Sequence, residues 1–416
     1  MENNGDGDAE ARRKARVKAR WEILRQALTG EVPLPNTPRS RYHTHSMNAF
    51  PGFRVLDRTV LPAPPPPRSE FGNDDDAQES HEVVAYSYTS QDGSSQVQFK
   101  AREVLQQQKS ATMKSRMEEL LSHRTHGVDN TGNVRVWDAE GVLAVFLLST
   151  ILDKSCDAEA LIETRSTLRD MIAAHGDDPT VEECNVLELG CGQAGLAGLA
   201  LASLGSASGG STRAKRMNIM LTDGHPKCVA NNRACADMLA KGEDTVRAEM
   251  LLWDSSPNGE LACATINQIA SENSKTHSLV GDGIFDVCLA SDCVHFQDFH
   301  DGLLLTVART LRVNGIALLC QPARGASLEN FMSLVEFVNG RGGGVLLEMT
   351  LIEEFVSKVS SLHAELVSNT NENSTYDPDR HRPLLLTLRK KRILDEVVDG
   401  SLVQQFLSIR RQNMES

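Results

Sequence analysis

The chain has 416 residues, 40% of them hydrophobic, with 43 Lys and Arg against 56 Asp and Glu, which gives a formal net charge of -13 and a sequence pI of about 5.4. That is enough apolar material for one large domain or two ordinary ones, and the acidic balance argues against a broad nucleic-acid-binding field. The longest apolar stretch, 141–152, is broken by Ser149 and Thr150 and falls short of the roughly 20 residues a membrane span requires, so no transmembrane helix is expected.

In chain order, acidic residues at Glu2, Asp6, Asp8 and Glu10 precede an Arg-rich stretch, a composition unlike a secretory signal or an acid-poor mitochondrial presequence. Residues 11–28 lack Gly and Pro, and Val17, Trp21, Leu24 and Leu28 fall on one face, which predicts a basic amphipathic helix within a segment 1–55. Such a helix suits either docking into an acidic, Met-rich groove or capping the core. A linker follows over 56–80, with PAPPPP at 62–67 and a polar run after it.

A small subdomain, 81–132, is expected to hold a hairpin of 82–88 and 96–99 around the turn DGSS at 92–95. A helix capped by Asp138 then runs through the apolar stretch to Leu152. Within 133–392, short apolar runs alternate with helical patterns, predicting a doubly wound α/β domain with a seven-stranded, mostly parallel sheet. The strands are NVLEL, NIMLT, RAEMLLW, FDVCLA and GIALLC. VLLEMTLI and PLLLTL, with no helix pattern of normal length and apolarity between them, close the sheet as an antiparallel pair. GSASGGSTR at 205–213 and the polar stretch 255–283 read as surface loops, and 393–416 as a tail.

The strongest local feature is LELGCGQAG, a strand that turns through Gly190, Cys191 and Gly192 into an alanine-rich helix. Glycines there let the backbone approach a ligand at the carboxyl end of the strand. By itself the motif fits a dinucleotide as well as S-adenosylmethionine. Asp223, ending LTDG, is placed to accept both hydroxyls of a ribose, which the two cofactors share. Glu188 tips the choice, since an anion before the glycines repels a pyrophosphate and suits a cationic aminoacyl end. Trp253, after the third strand, fits an adenine and an ordinary core position equally, and Trp137 reads first as core.

Ser291-Asp292-Cys293-Val294-His295-Phe296 follows the fourth strand, where a methyl acceptor would arrive. Methyl transfer needs a neutral amine aligned with the methyl group, so Asp292 is assigned to positioning, with an N-cap as its structural alternative. His295 and Phe296 would line the acceptor's channel, an aromatic wall favouring a methylated ammonium. His225, His295 and His300 show no metal-ligand spacing with any Cys pair, so no metal is expected. The nine cysteines contain no C-x-x-C pair and mostly lie in apolar segments, as reduced thiols of a cytosolic or nuclear protein would.

Taken in order, ARWEILRQAL, VWDAEGVLAVFLL, LELGCGQAGLAGLA, LTDGHPKCVANN, LLWD, FDVCLASDCVHF, PARGASLENF and HRPLLLTLRK resemble the calmodulin-lysine N-methyltransferases, a branch of the seven-β-strand lysine methyltransferases. The resemblance implies S-adenosylmethionine as cofactor and a lysine of calmodulin as acceptor, in a monomer with neither nucleic acid nor membrane as partner. It implies cofactor contacts from Trp137, the turn Gly190 to Gly192, Asp223, Trp253 and Ser291, and so lifts both tryptophans above a core reading. The family has an aromatic residue three positions after the fourth-strand acid, where this chain has His295. Three other readings stand beside this one: methylation of another protein, a cofactor-binding module without turnover, and, more distantly, a nicotinamide-dependent dehydrogenase.

Overall fold

Seven of the chain's strands form one sheet in the computed structural model, which describes residues 50, 52–62, 81–104, 136–153, 159–173, 183–204, 215–239, 245–253, 255, 283–295, 297–368 and 376–415. All but Phe50, Gly52 and Tyr376 fall in one compact unit, Phe53–Leu105 with Val128–Asn369 and Asp377–Ser416. The basic amphipathic helix expected over 11–28, the loop at 205–213, nearly all of the stretch 255–283 and Phe296 lie outside the described residues.

The N-terminal part of this unit is a three-stranded antiparallel sheet, β1 (Asp57–Val60), β2 (His81–Thr89) and β3 (Gln96–Val104), in that order. The expected hairpin is there, and longer at both ends. Its turn is held by the Asp92 carboxylate, which accepts from Ser90 Oγ and Ser94 N–H, with Gly93 at φ 69°. Strand β1 was not foreseen, because DRTV is exposed throughout and shows no apolar alternation.

Helix α1 (Asp138–Leu152) is buried on nearly every side. Its N-cap is Trp137 rather than Asp138, which takes the first helical position: the Glu140 carboxylate reaches back to accept the Trp137 N–H at 3.0 Å, half of a capping box. Helix α2 (Glu159–Ile172) follows, and then the alternation begins with β4 (Glu183–Leu189), α3 (Leu196–Ala202), β5 (Arg216–Asp223), α4 (Pro226–Ala236) and β6 (Thr245–Met250). The third apolar run stops pairing at Met250, so Trp253 belongs to the loop after the strand.

The second half comprises β7 (Phe285–Ser291), a 3-10 turn at Gln297–Phe299, α5 (His300–Thr310), β8 (Leu311–Gln321), α6 (Ser327–Arg341) and β9 (Leu347–Ile352). It continues with α7 (Ser357–Ser368), α8 (Pro378–His381), β10 (Leu384–Lys390) and α9 (Val398–Glu415). Strand β8 begins earlier than its apolar run because an irregularity around Asn314, at φ 68°, lets Leu311 pair with Phe285 and Ile316 with Val287. The sheet order is β6-β5-β4-β7-β8-β10-β9, parallel except that β10 runs antiparallel to both of its neighbours. A helix does stand between the last two strands, contrary to the sequence reading. Helix α7 was missed because only Val359 on it is buried, so its apolar face is thin.

Strand order reverses between β4 and β7, and this switch point opens a crevice at their carboxyl ends. Behind it, Leu187, Leu189, Leu303, Leu319, Phe331 and Leu386 belong to one continuous buried cluster. The segment read as a tail is a helix fixed to that core. Arg392 donates two hydrogen bonds of 2.7 Å to Asp399, which is fully buried and also accepts Asp395 N–H, while Phe406 meets Phe337 edge-on at 5.2 Å. Replacing Asp399 with Ala takes the carboxylate partner from Arg392, which keeps only the carbonyls of Gly344 and Ile393, and the acceptor from Asp395 N–H. The variant should lose about 3 kcal/mol, read as a lower urea midpoint at an unchanged slope.

Candidate functional site

Backbone pairing sets the crevice. Leu189 lies beside Thr222 on one side and Ala290 on the other, so Gly190, Asp223 and Ser291 leave three adjacent strands at one level. The glycine turn is left-handed at both Gly190 (φ 59°) and Gly192 (φ 57°), where a side chain would be strained. A Cβ at Gly190 would also come within 2.8 Å of Cys293 Sγ and 3.1 Å of the Trp253 ring. The turn is therefore pinned between the third-strand tryptophan and the fourth-strand loop.

Asp223 ties this turn to its own. One carboxylate oxygen accepts Gly192 N–H at 2.9 Å and the other accepts His225 N–H at 2.8 Å, which leaves lone pairs on both for a ligand. Burial pushes its pKa up to about 6, against the backbone bonds that stabilise the anion. From α4, Asn232 Nδ2 donates to Gly192 O at 2.8 Å while its Oδ1 accepts Gly195 N–H at 2.7 Å, and Asn231 donates to Gln193 O at 2.6 Å. Neither asparagine was singled out from the sequence, although VANN belongs to the resembling motif. A polar pair on an otherwise apolar helix face was the available signal.

Glu188 takes a different place from the one expected. Its side chain is 1% exposed and accepts Gly198 N–H at 2.7 Å, so it supports the start of α3 from beneath the turn and does not present an open anion. Burial raises its pKa to about 7. Cys191 is likewise buried, its thiol pushed well above the usual range by burial and by Asp223. Glu140, not predicted as a site residue, is buried, with Oε2 lacking a partner. Burial lifts its pKa well above the carboxylate range, and Glu188, Glu103 and Asp292 add to the rise. The W-x-x-E spacing of a capping box was its sequence signal.

On the β7 side, Ser291 is buried with its Oγ unpartnered. Asp292 has φ 55° and is only 9% exposed at its side chain, but it does not stand alone. Arg324, in the turn after β8, donates through Nε at 2.8 Å and through its terminal amino group to the two carboxylate oxygens. Its guanidinium also lies 5.7 Å from the centre of the Trp137 ring. Arg324 at φ 49° and Gly325 at φ 67° are held in turn by Asp379, whose backbone and side chain accept their N–H groups at 2.7 Å. Sequence reading passed over this arginine, which sits in PARGAS just past a strand's carboxyl end, where site residues gather.

His295 follows in the same loop and keeps an exposed edge, and Ser327 Oγ holds its carbonyl at 3.1 Å. What burial it has lowers its pKa, Arg324 lowers it further, and Asp292 opposes both. Trp253 is half-buried and meets Phe299 edge-on at 6.4 Å. The described site thus gathers the predicted Gly190, Gly192, Asp223, Trp253, Ser291 and Asp292, with Trp137 joined through Arg324. Among the described residues, no three His, Cys, Asp or Glu side chains converge as metal ligands, and no helix is long and apolar enough to cross a membrane.

Two of the raised carboxylates, Glu188 and Asp223, carry a stability consequence in a defined pH window. Folded Glu188 and Asp223 bind protons that the unfolded chain releases between about pH 4 and pH 7, so their contribution to stability falls as pH rises through that window. Glu188→Gln keeps an acceptor for Gly198 N–H and removes the charge. Its urea midpoint relative to wild type should therefore rise between about pH 5 and pH 8, and parallel curves would refute the assignment.

The sequence profile of the lysine methyltransferase family matches residues 116–337, more than half of the chain. An Arabidopsis thaliana protein named calmodulin-lysine N-methyltransferase is 26% identical over 373 residues, 89% of this chain and 95% of the relative. Among solved structures, the chain is similar to an S-adenosylmethionine-dependent methyltransferase of Methanosarcina mazei, with 14% identity, 51% of this chain and 94% of that one covered, and a TM-score of 0.27. It is also similar to an rRNA methylase of Streptococcus thermophilus, with 9% identity, 57% and 100% covered, and a TM-score of 0.31. Likeness at that level adds nothing to what the sheet order already shows. The crevice itself fits the family's cofactor: Gly190 leaves its walls open where a Cβ would close them, Asp223 keeps acceptor capacity for a ribose, and the buried hydroxyl of Ser291 and the Gln193 amide nitrogen await partners. The chain belongs to the lysine methyltransferase family and uses S-adenosylmethionine as its methyl donor.

Proposed function

We propose that the protein methylates a lysine side chain of calmodulin, with the reacting amine arriving at the β7 side of the crevice beside Asp292. The observation that carries the acceptor is the calmodulin-lysine N-methyltransferase of Arabidopsis, which this chain follows along nearly the whole of both lengths. The sequence of 11–28 supports it, since a basic amphipathic segment suits an acidic, Met-rich partner. The seven described cysteines form no disulfide with one another, in keeping with our assignment of the reaction to the cytosol or nucleus.

When bound, S-adenosylmethionine supplies a methyl group on a sulfonium, which an uncharged amine accepts by in-line displacement. The protein's residues hold and orient the reactants. Asp223 would accept the ribose hydroxyls, Trp253 would wall the adenine, and Gly190 to Gly192 would let the backbone lie against the cofactor. Ser291 and Trp137 would complete the pocket on the β7 side. A free lysine carries a pKa of about 10.4, so the pocket must favour its neutral form, by desolvation and by the charges around it. Asp292 sits where that choice is made, and His295 would flank the amine.

Intact-mass analysis of recombinant calmodulin, incubated with the protein and S-adenosylmethionine, tests the acceptor directly. Mass increments of whole methyl groups are expected, and Asp292→Asn should lower their rate while leaving cofactor affinity close to wild type. Unmodified calmodulin, with the cofactor bound, would move the acceptor to another protein. Asp223→Ala removes charge-assisted hydrogen bonds and should weaken S-adenosylmethionine binding by about tenfold to a hundredfold in calorimetry. An unchanged affinity would remove Asp223 from the pocket.

A further inference from the structure

We propose that Arg324 is a positioning residue that balances the charge of Asp292, so that the acceptor amine meets a paired carboxylate and sheds its proton more readily than beside a free one. This rests on the reading that a lysine amine arrives at Asp292. A carboxylate alone would bind the ammonium and hold its proton, opposing the neutral form that methyl transfer consumes. The structure resolves this conflict. Both oxygens of Asp292 are engaged by Arg324, a two-point pair whose fork geometry an ammonium cannot copy.

The pair is built to persist. The arginine is 18% exposed at its side chain, its backbone is anchored through Asp379, and its guanidinium packs on Trp137 at the start of α1. Other titratable and charged groups facing the pair come from several elements. Among the described residues these are His295 and Cys293 from its own loop, Cys320 from β8, Glu140 from α1 and His381 from α8. Of these, His295 and His381 have their pKa lowered by burial and also by the Arg324 charge, and Glu140 is pushed toward its neutral form chiefly by burial. The balance at the acceptor's position therefore hangs on the arginine.

Two measurements on the full chain separate this from simple support. The first follows the His295 ring by NMR through a pH titration without cofactor or calmodulin. In Arg324→Gln the imidazole pKa should rise, since Asp292 is then unopposed, whereas Arg324→Lys should keep it near wild type. The second follows kcat for calmodulin against pH. Arg324→Gln should move the rising limb to higher pH by about one unit or more, and Arg324→Gln with Asp292→Asn should bring it back. An unmoved His295 titration, or a rate reduced equally at every pH, would overturn the proposal. Absence of calmodulin methylation by the wild-type protein would instead refute the acceptor reading, while the histidine titration still decides the role of Arg324.

Discussion

Parallel pairing of β4 with β5 on one side and β7 on the other is the constraint from which the site follows. It brings three strand ends to one level, and whatever follows each strand must then share a small volume. A tight left-handed turn follows β4, an acid ends β5, and a serine and acid close β7. Because the chain reverses its winding between β4 and β7, no crossover helix covers that end, and the crevice stays open. The side chains that matter are thus placed by backbone hydrogen bonds, which are less sensitive to local sequence than side-chain packing is.

Gathering acids around the carboxyl ends of the central strands has a cost, and the protein meets it in several ways. Glu188 is stabilised by a backbone N–H of α3, and Asp223 by those of the two turns it ties together. Glu140 caps α1 with one oxygen and leaves the other without a partner. Asp292 alone among them receives a full opposite charge, from Arg324. The acids therefore serve different ends although they lie close together: Glu188 holds the start of α3, Asp223 ties the glycine turn to its own, Glu140 caps the first helix, and Asp292 pairs with Arg324. Burial disfavours the charged form of each, which is why Glu140, Glu188 and Asp223 shift in the same direction, and neighbouring carboxylates add to the rise at Glu140.

Segments outside the sheet also contribute. The 3-10 turn brings Phe299 against Trp253, Ser327 at the start of α6 fixes the carbonyls of Val294 and His295, and Asp379 within α8 anchors the Arg324 turn. The proposed acceptor side is thus assembled from β7, the β8 turn and the stretch before β10, regions far apart in the chain. The glycine turn and Asp223 come from one continuous βαβ stretch, which Trp137, Trp253 and Ser291 join from other parts of the chain. A division of that kind lets acceptor choice change while the cofactor half stays fixed.

That division also explains what could be read in advance. Alternating apolar runs and glycine punctuation determined the seven-stranded sheet, its antiparallel last pair and the cofactor motif, because strand period and turn chemistry are local properties of the chain. Helix α7 escaped because it buries so little, and β1 because it buries nothing. The role of Glu188 was misjudged for a related reason: a carboxylate beside a glycine turn looks the same in sequence whether it faces a ligand or the backbone of the next helix. Arg324 lies 32 positions from Asp292, and no spacing rule links them. Local order was thus written in the sequence, whereas the charge state and direction of each site residue were decided only when distant segments met and excluded water.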